Sequence, residues 1–151
     1  MLAASKDPTV RAAFYLLTQI PLAAKKGQFA PELRGLGLKL ADAPSLSEVI
    51  SAFGDAVDRM ARETRGRTDF GEMVHLAAAE SLNAVVGREL PRLFGTTASE
   101  VQNKLAGLAT QKQFSVLARD FFARLTRRYL DYYLSRELPK HVEIAGRFQS
   151  I

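Results

Sequence analysis

The chain has 151 residues and no cysteine, which excludes disulfides, thiolate zinc sites, iron–sulfur clusters and cysteine nucleophiles. Hydrophobic residues make up 47% of the sequence and charged residues 25%, a balance typical of a globular protein that folds around its own core and not of a disordered chain. The net charge is +5, and no apolar run approaches the roughly 18 residues that are needed to cross a bilayer.

The start of the chain does not have the pattern of a secretion signal, because Lys6 follows a short apolar stretch and a second basic residue comes at Arg11. Together with the missing cysteines, this pattern predicts a cytoplasmic protein that makes no contact with membranes. The last residues, 141–151, carry neither a polar tail nor a helix cap. This ending fits one domain of a longer protein.

The first predicted helix begins at Asp7, a capping residue followed by proline at the first helical position. We expect it to end before Pro21, since the residue before a proline is pushed out of the helical region. Residues 22–44 are punctuated by glycine and proline, and we expect only a short helix around 31–34 there. Four leucines should pin this segment to the core: Leu33, Leu36, Leu38 and Leu40.

Two capping boxes predict further helix starts, because in each box a hydroxyl and a carboxylate bind backbone N–H groups that the first turn leaves unpaired. Ser45 and Glu48 open a one-sided surface helix that runs to about Arg65. Thr97 and Glu100 open a second, short helix.

A segment at about 70–90 is apolar nearly all the way round a helical wheel. Such a helix is usually buried, so we expect it to be central and to end at Pro91. The last predicted helix is long, about 112–138, and stops at Pro139. The sequence therefore predicts an all-α fold, a bundle of four to five helices that forms a single domain over residues 1–151.

The last helix is apolar on two opposite sides. One side is a broad stripe that we expect to face the core: Phe114, Leu117, Ala118, Phe121, Phe122, Leu125, Tyr129 and Tyr132. The other side carries a row of four residues: Val116, Ala123, Leu130 and Leu134. The first three of these are seven residues apart, the spacing of a coiled-coil seam, and charged residues flank the row, as is typical of helix–helix interfaces.

Our preferred hypothesis is a non-enzymatic interaction module that binds a protein partner, or a second copy of itself, through this helix. The residues predicted to bind the partner are Val116, Ala123, Arg127, Leu130 and Leu134. The alternative for the row is that the C-terminal segment folds back over it and makes it part of the bundle.

The alternative function is nucleic-acid binding through the basic ends of the chain. Residues 1–40 carry six basic against two acidic groups, and residues 111–151 carry eight against four. The side chains that would contact phosphates or bases are Arg119, Arg124, Arg127, Arg128, Tyr133 and Arg136. Acidic residues interrupt this positive field and no helix-turn-helix signature is present, so the sequence favours the protein partner.

Motifs for catalysis and metal binding are missing from the sequence. Glu72 and His75 form a single Glu-x-x-His, whereas a di-iron site needs two, and the other histidine, His141, lies beyond the last predicted helix. Ser81 and Ser115 are not part of a Gly-x-Ser-x-Gly elbow, and no Walker loop occurs. We therefore expect no enzyme activity, no cofactor and no metal.

Overall fold

A computed structural model of the chain describes residues 7–63, 68–88 and 96–147, with side chains described as far as 139. In these ranges the protein has six helices and no strand. The helices are α1 (Pro8–Ala24), α2 (Phe29–Gly35), α3 (Leu46–Arg62), α4 (Asp69–Gly87), α5 (Ala98–Gly107) and α6 (Gln111–Arg147). The all-α prediction is confirmed. The short helix expected around 31–34 forms as α2, and with it the described residues contain six helices, more than the four to five predicted for the bundle.

Helix α1 begins as predicted, since the Asp7 carboxylate accepts hydrogen bonds from the backbone N–H groups of Thr9 at 2.8 Å and Val10 at 3.3 Å. The prediction that Pro21 ends this helix was wrong, because α1 continues through it to Ala24. A proline has a helical φ and removes only one backbone donor from a helix. Pro21 is itself buried within the apolar face of α1, so packing offsets the missing hydrogen bond.

The end of α2 is a Schellman turn centred on Gly37, whose φ of +88° is strained for any residue with a side chain. The Gly37 N–H donates to the carbonyl of Arg34 at 2.9 Å, and the Leu38 N–H donates to the carbonyl of Leu33 at 3.1 Å. Leu33 and Leu38 are buried, while Leu36 and Leu40 pack partly buried against the core. The predicted role of these leucines is therefore confirmed.

Both capping boxes form as predicted, at Ser45 and Glu48 for α3 and at Thr97 and Glu100 for α5. At the second box the Thr97 N–H donates to the Glu100 carboxylate at 2.7 Å. This hydrogen bond, with the one from the Thr97 hydroxyl, lowers the pKa of Glu100 below its ordinary value. The predicted end of the α3 helix at Arg65 lies outside the described residues.

Helices α1 and α4 share the centre of the fold. Helix α1 packs on α2, α3, α4 and α5, and α4 packs on α1, α3, α5 and α6. The sequence predicted only α4 as the central helix. Within α4, Val74 and Leu82 are fully buried but Leu76 is exposed, and the helix ends at Gly87. Position 90, the predicted end, is outside the described residues. Pro91 lies outside the described residues.

Helix α6 runs from Gln111 to Arg147, beyond the predicted end at Pro139. The predicted stop was wrong. Pro139 lacks the N–H that would bind the carbonyl of Ser135, four residues earlier. Ser135 is exposed, so water can bind its free carbonyl oxygen and the helix continues. His141, which we expected beyond the helix, therefore lies within it. No helix in the described ranges combines the length and the apolar character needed to span a bilayer.

Candidate partner-binding surface

The first half of α6 anchors the helix to the bundle. Leu117 and Phe121 are completely buried and Leu125 is 7% exposed. The helix lies mainly against α4, and the two run in opposite directions, since Glu80 of α4 contacts Arg124 whereas the earlier Asp69 contacts the later Tyr132. The side of α6 that faces the core is thus fixed by buried side chains.

The second half of α6 extends past the bundle. Beyond Leu125 no described residue of α6 is buried. The predicted core stripe is both too broad and too long, since Phe122 is 47% exposed, Tyr129 is 48% exposed and Tyr132 is only half-buried. Phe122 and Tyr129 lie at one edge of the stripe, where rings of α1 and α4 cover only one side of each. Tyr132 lies at the level of Asp69, where α4 begins.

Two exposed aromatic side chains of α6 each pack one side against a neighbouring ring. Phe122 lies 5.7 Å from the ring of Phe14 in α1, and Tyr129 meets Phe70 of α4 edge-on at 6.0 Å. These contacts hold the aromatic rings in place and leave about half of each side chain open to solvent. They also fix the rotation of α6 about its own axis.

The second apolar row is exposed along its whole length, and we call it the outer row. Its members are Val116 (44% exposed), Ala123 (exposed), Leu130 (49%) and Leu134 (46%). The described residues do not fold back over it, because α6 stays helical through Arg147. Tyr133 and Leu138, each 52% exposed, add further apolar surface to the same part of the helix.

Arg127, the fifth residue predicted to bind a partner, lies beside the outer row with its side chain 85% exposed. Its guanidinium is 3.9 Å from the carboxylate of Asp131, one turn further along α6. An exposed pair at this distance contributes little to stability, so both charges are available to a partner.

Arg124 and Arg128 of α6 form ion pairs with carboxylates. Arg124 donates from Nε to Asp120 at 2.6 Å and from Nη1 to Glu80 at 3.3 Å, and Arg128 donates to the second oxygen of Glu80. The hydrogen bond to Asp120 raises the pKa of Arg124 further above its ordinary value. Glu80 was not among the residues predicted from the sequence. The structure identifies it, because it lies on α4 opposite Arg124 and Arg128, which are one turn apart on α6.

Arg136 is also engaged, since it donates to the Tyr132 hydroxyl and lies 3.7 Å from Asp69. Tyr132 in turn donates to Asp69 at 2.6 Å. Of the arginines predicted to contact nucleic acid, Arg119 is the one for which the described residues supply no carboxylate. The predicted positive field is therefore neutralised at most of its positions.

Because Glu80 binds two guanidinium groups, Glu80→Ala should loosen α6 from α4. We expect a loss of about 1–2 kcal/mol in the free energy of unfolding, since partly exposed pairs contribute up to about 1 kcal/mol each. Urea denaturation measures this loss. The control is Glu32→Ala, which breaks one exposed pair with Lys26 and should cost less than about 0.5 kcal/mol. Equal effects of both substitutions would contradict a structural role for Glu80.

The candidate catalytic and metal-binding side chains that the structure describes are not brought together, and that of His141 lies outside them. His75 lies between α3 and α4, with Nδ1 buried and 3.7 Å from an Asp58 carboxylate oxygen. The hydroxyls of Ser81 and Ser115 donate to carbonyls of their own helices, at 2.8 Å and 2.7 Å. Among the described residues no three histidine or acidic side chains cluster as metal ligands do. The prediction that the protein binds no metal stays a prediction.

None of the protein-family models, curated proteins or solved structures with which the chain was compared matches it.

Proposed function

We propose that the protein is a non-enzymatic interaction module that binds a protein partner through the outer row of α6. One observation carries this proposal: α6 is anchored by buried side chains on one side and leaves an apolar row nearly half-exposed on the other. Contiguous exposed apolar surface with charged residues beside it is a common mark of interaction sites. Single exposed leucines are ordinary, but a row at helical spacing is a surface that another helix can cover.

The outer row is presented on a helix that is already formed and held in place. Phe121 and the half-buried Arg124 fix α6 against the bundle, so a partner does not have to order the helix when it binds. Preorganisation of this kind improves affinity because less conformational entropy is lost on association. The paired arginines argue against the alternative function, since nucleic-acid binding would require Arg124 and Arg128 to exchange carboxylates for phosphates.

The test is site-specific photo-crosslinking in cells that naturally make the protein. A photoreactive amino acid at Leu130 should give a discrete crosslinked product, which mass spectrometry then identifies. The control places the same amino acid at Ser51, an exposed position on α3, and should give none. If Leu130 yields no product that Ser51 lacks, the outer row does not contact a protein and the proposal fails.

A further inference from the structure

We infer that the occupant of the outer row is a second copy of this chain, with the two α6 helices packed antiparallel. This inference rests on the proposed function and names the partner within it. It depends on how the charges beside the outer row are ordered along the helix.

Each flank of the outer row carries a basic residue followed by an acidic one; Asp120, which also lies beside the row and precedes Arg127, is bound by Arg124 of its own chain. On one flank Arg119 comes eighteen residues before Glu137, a separation of five whole turns at 3.6 residues per turn, so both lie on the same side of the row. On the other flank Arg127 comes one turn before Asp131. In an antiparallel pair of helices each flank faces the same flank of the partner, and the partner's residues follow one another in the reverse direction. Each basic residue therefore lies opposite an acidic one.

A single register satisfies both flanks. The midpoint of Arg119 and Glu137 is position 128, and the midpoint of Arg127 and Asp131 is position 129. Consider a two-fold axis that passes between the two helices at the level of positions 128 and 129. It brings Arg119 of each copy opposite Glu137 of the other, and Arg127 of each copy opposite Asp131 of the other. A parallel pair would bring each charge to the level of its own copy and would gain neither attraction.

The apolar residues fit the same register. An axis between 128 and 129 places Ala123 of one copy opposite Leu134 of the other, a small side chain against a large one, as close helix packing requires. Leu130 lies near the two-fold axis, so the Leu130 side chains of the two copies are neighbours. The register that pairs the charges therefore also pairs Ala123 and Leu134, which are complementary in size.

The bundles do not obstruct this arrangement. Leu130 of the outer row and buried Leu125 are five residues apart, which separates them by about 140° around the helix at 100° per residue. Each bundle therefore lies on the side of α6 that faces away from the partner. Two copies can pair along α6 without disturbing the contacts between α6 and α4.

Because the chain has no cysteine, engineered cysteines report this register without interference. We would oxidise Ala123→Cys alone, Leu134→Cys alone, and an equal mixture of the two. In the antiparallel pair, position 123 of one copy is level with position 134 of the other, so the mixture can form a disulfide. Two copies of the same site lie about 16 Å apart along the helix axis at 1.5 Å per residue. That separation is beyond the reach of a disulfide. We expect disulfide-linked dimers in the mixture and none in the separate samples.

Two results would overturn the antiparallel pair. Dimers in each separate sample would show a parallel pair, and no dimer in any sample, with a wild-type protein that sediments as a monomer at every concentration tested, would show no self-association. In that second case the Leu130 photo-crosslink still decides the proposed function separately. A crosslink to a different protein would uphold the interaction module and reject only the second copy as its partner.

Discussion

Leu125→Glu is expected to unfold the protein, whereas Leu130→Glu, five residues later on the same helix, is expected to leave the fold intact. Leu125 is 7% exposed and packs in the core, while Leu130 is 49% exposed on the outer row. Leucine truncations in cores cost about 2–5 kcal/mol, and a carboxylate without a partner adds a desolvation penalty. A substitution at an exposed position usually changes stability by less than about 0.5 kcal/mol.

The two variants are matched in residue type, charge change and helix, so only their position on the wheel differs. Circular dichroism and urea denaturation measure the folding of each, and sedimentation measures the size of the assembly. We expect Leu130→Glu to keep the wild-type urea midpoint at concentrations where the wild type is a monomer, and to lose any self-association at higher concentrations. If Leu130→Glu unfolds as readily as Leu125→Glu, the outer row is part of the core and the proposed function loses its support.

The helix starts could be predicted from the sequence because their chemistry is local. Asp7, Ser45 and Thr97 each bind backbone N–H groups within three residues, so their roles need no knowledge of the rest of the fold. The burial of Leu117, Phe121 and Leu125 in α6 could be predicted for a similar reason, since helical periodicity alone brings these three residues to one face.

The two proline positions could not be decided in this way. Whether Pro21 breaks or joins a helix depends on packing around it, and in α1 it is buried among apolar neighbours. Pro139 lies where α6 is exposed and its lost hydrogen bond costs little, because water can solvate the carbonyl. Local rules give proline only a tendency to end helices, and tertiary or solvent contacts decide each case.

The extent of the exposed surface also depends on a distant element. The pattern of Tyr129 and Tyr132 continues the core stripe, so sequence periodicity assigns both to the core. The structure leaves Tyr129 nearly half-exposed, because it lies at the edge of the stripe and meets α4 only through the ring of Phe70. The outer row itself was predicted from spacing, but its exposure depends on α6 staying helical past Pro139, which the sequence did not indicate.

Gly54→Ala should destabilise the protein, although alanine normally favours a helix over glycine by about 1 kcal/mol. Gly54 lies buried in α3, where the imidazole of His75 from α4 occupies the space that a Cβ atom would take. The histidine ring has to move out of this contact, and overpacking of this kind costs about 1–3 kcal/mol. The matched control is Gly107→Ala in α5, where an added Cβ meets nothing within 4 Å. It should leave stability unchanged or raise it slightly.

The decisive comparison is the same substitution in a His75→Ala background. With the ring removed, the Cβ atom added at position 54 meets no imidazole, so Gly54→Ala should become neutral or stabilising by up to about 1 kcal/mol. Urea denaturation of the wild type, both single variants and the double variant yields the coupling energy between the two positions. A coupling near zero would mean that α3 and α4 do not approach each other at Gly54. A strong coupling would establish that the absence of a side chain at this position, more than any motif around His75, allows α3 to pack closely on the central helix α4.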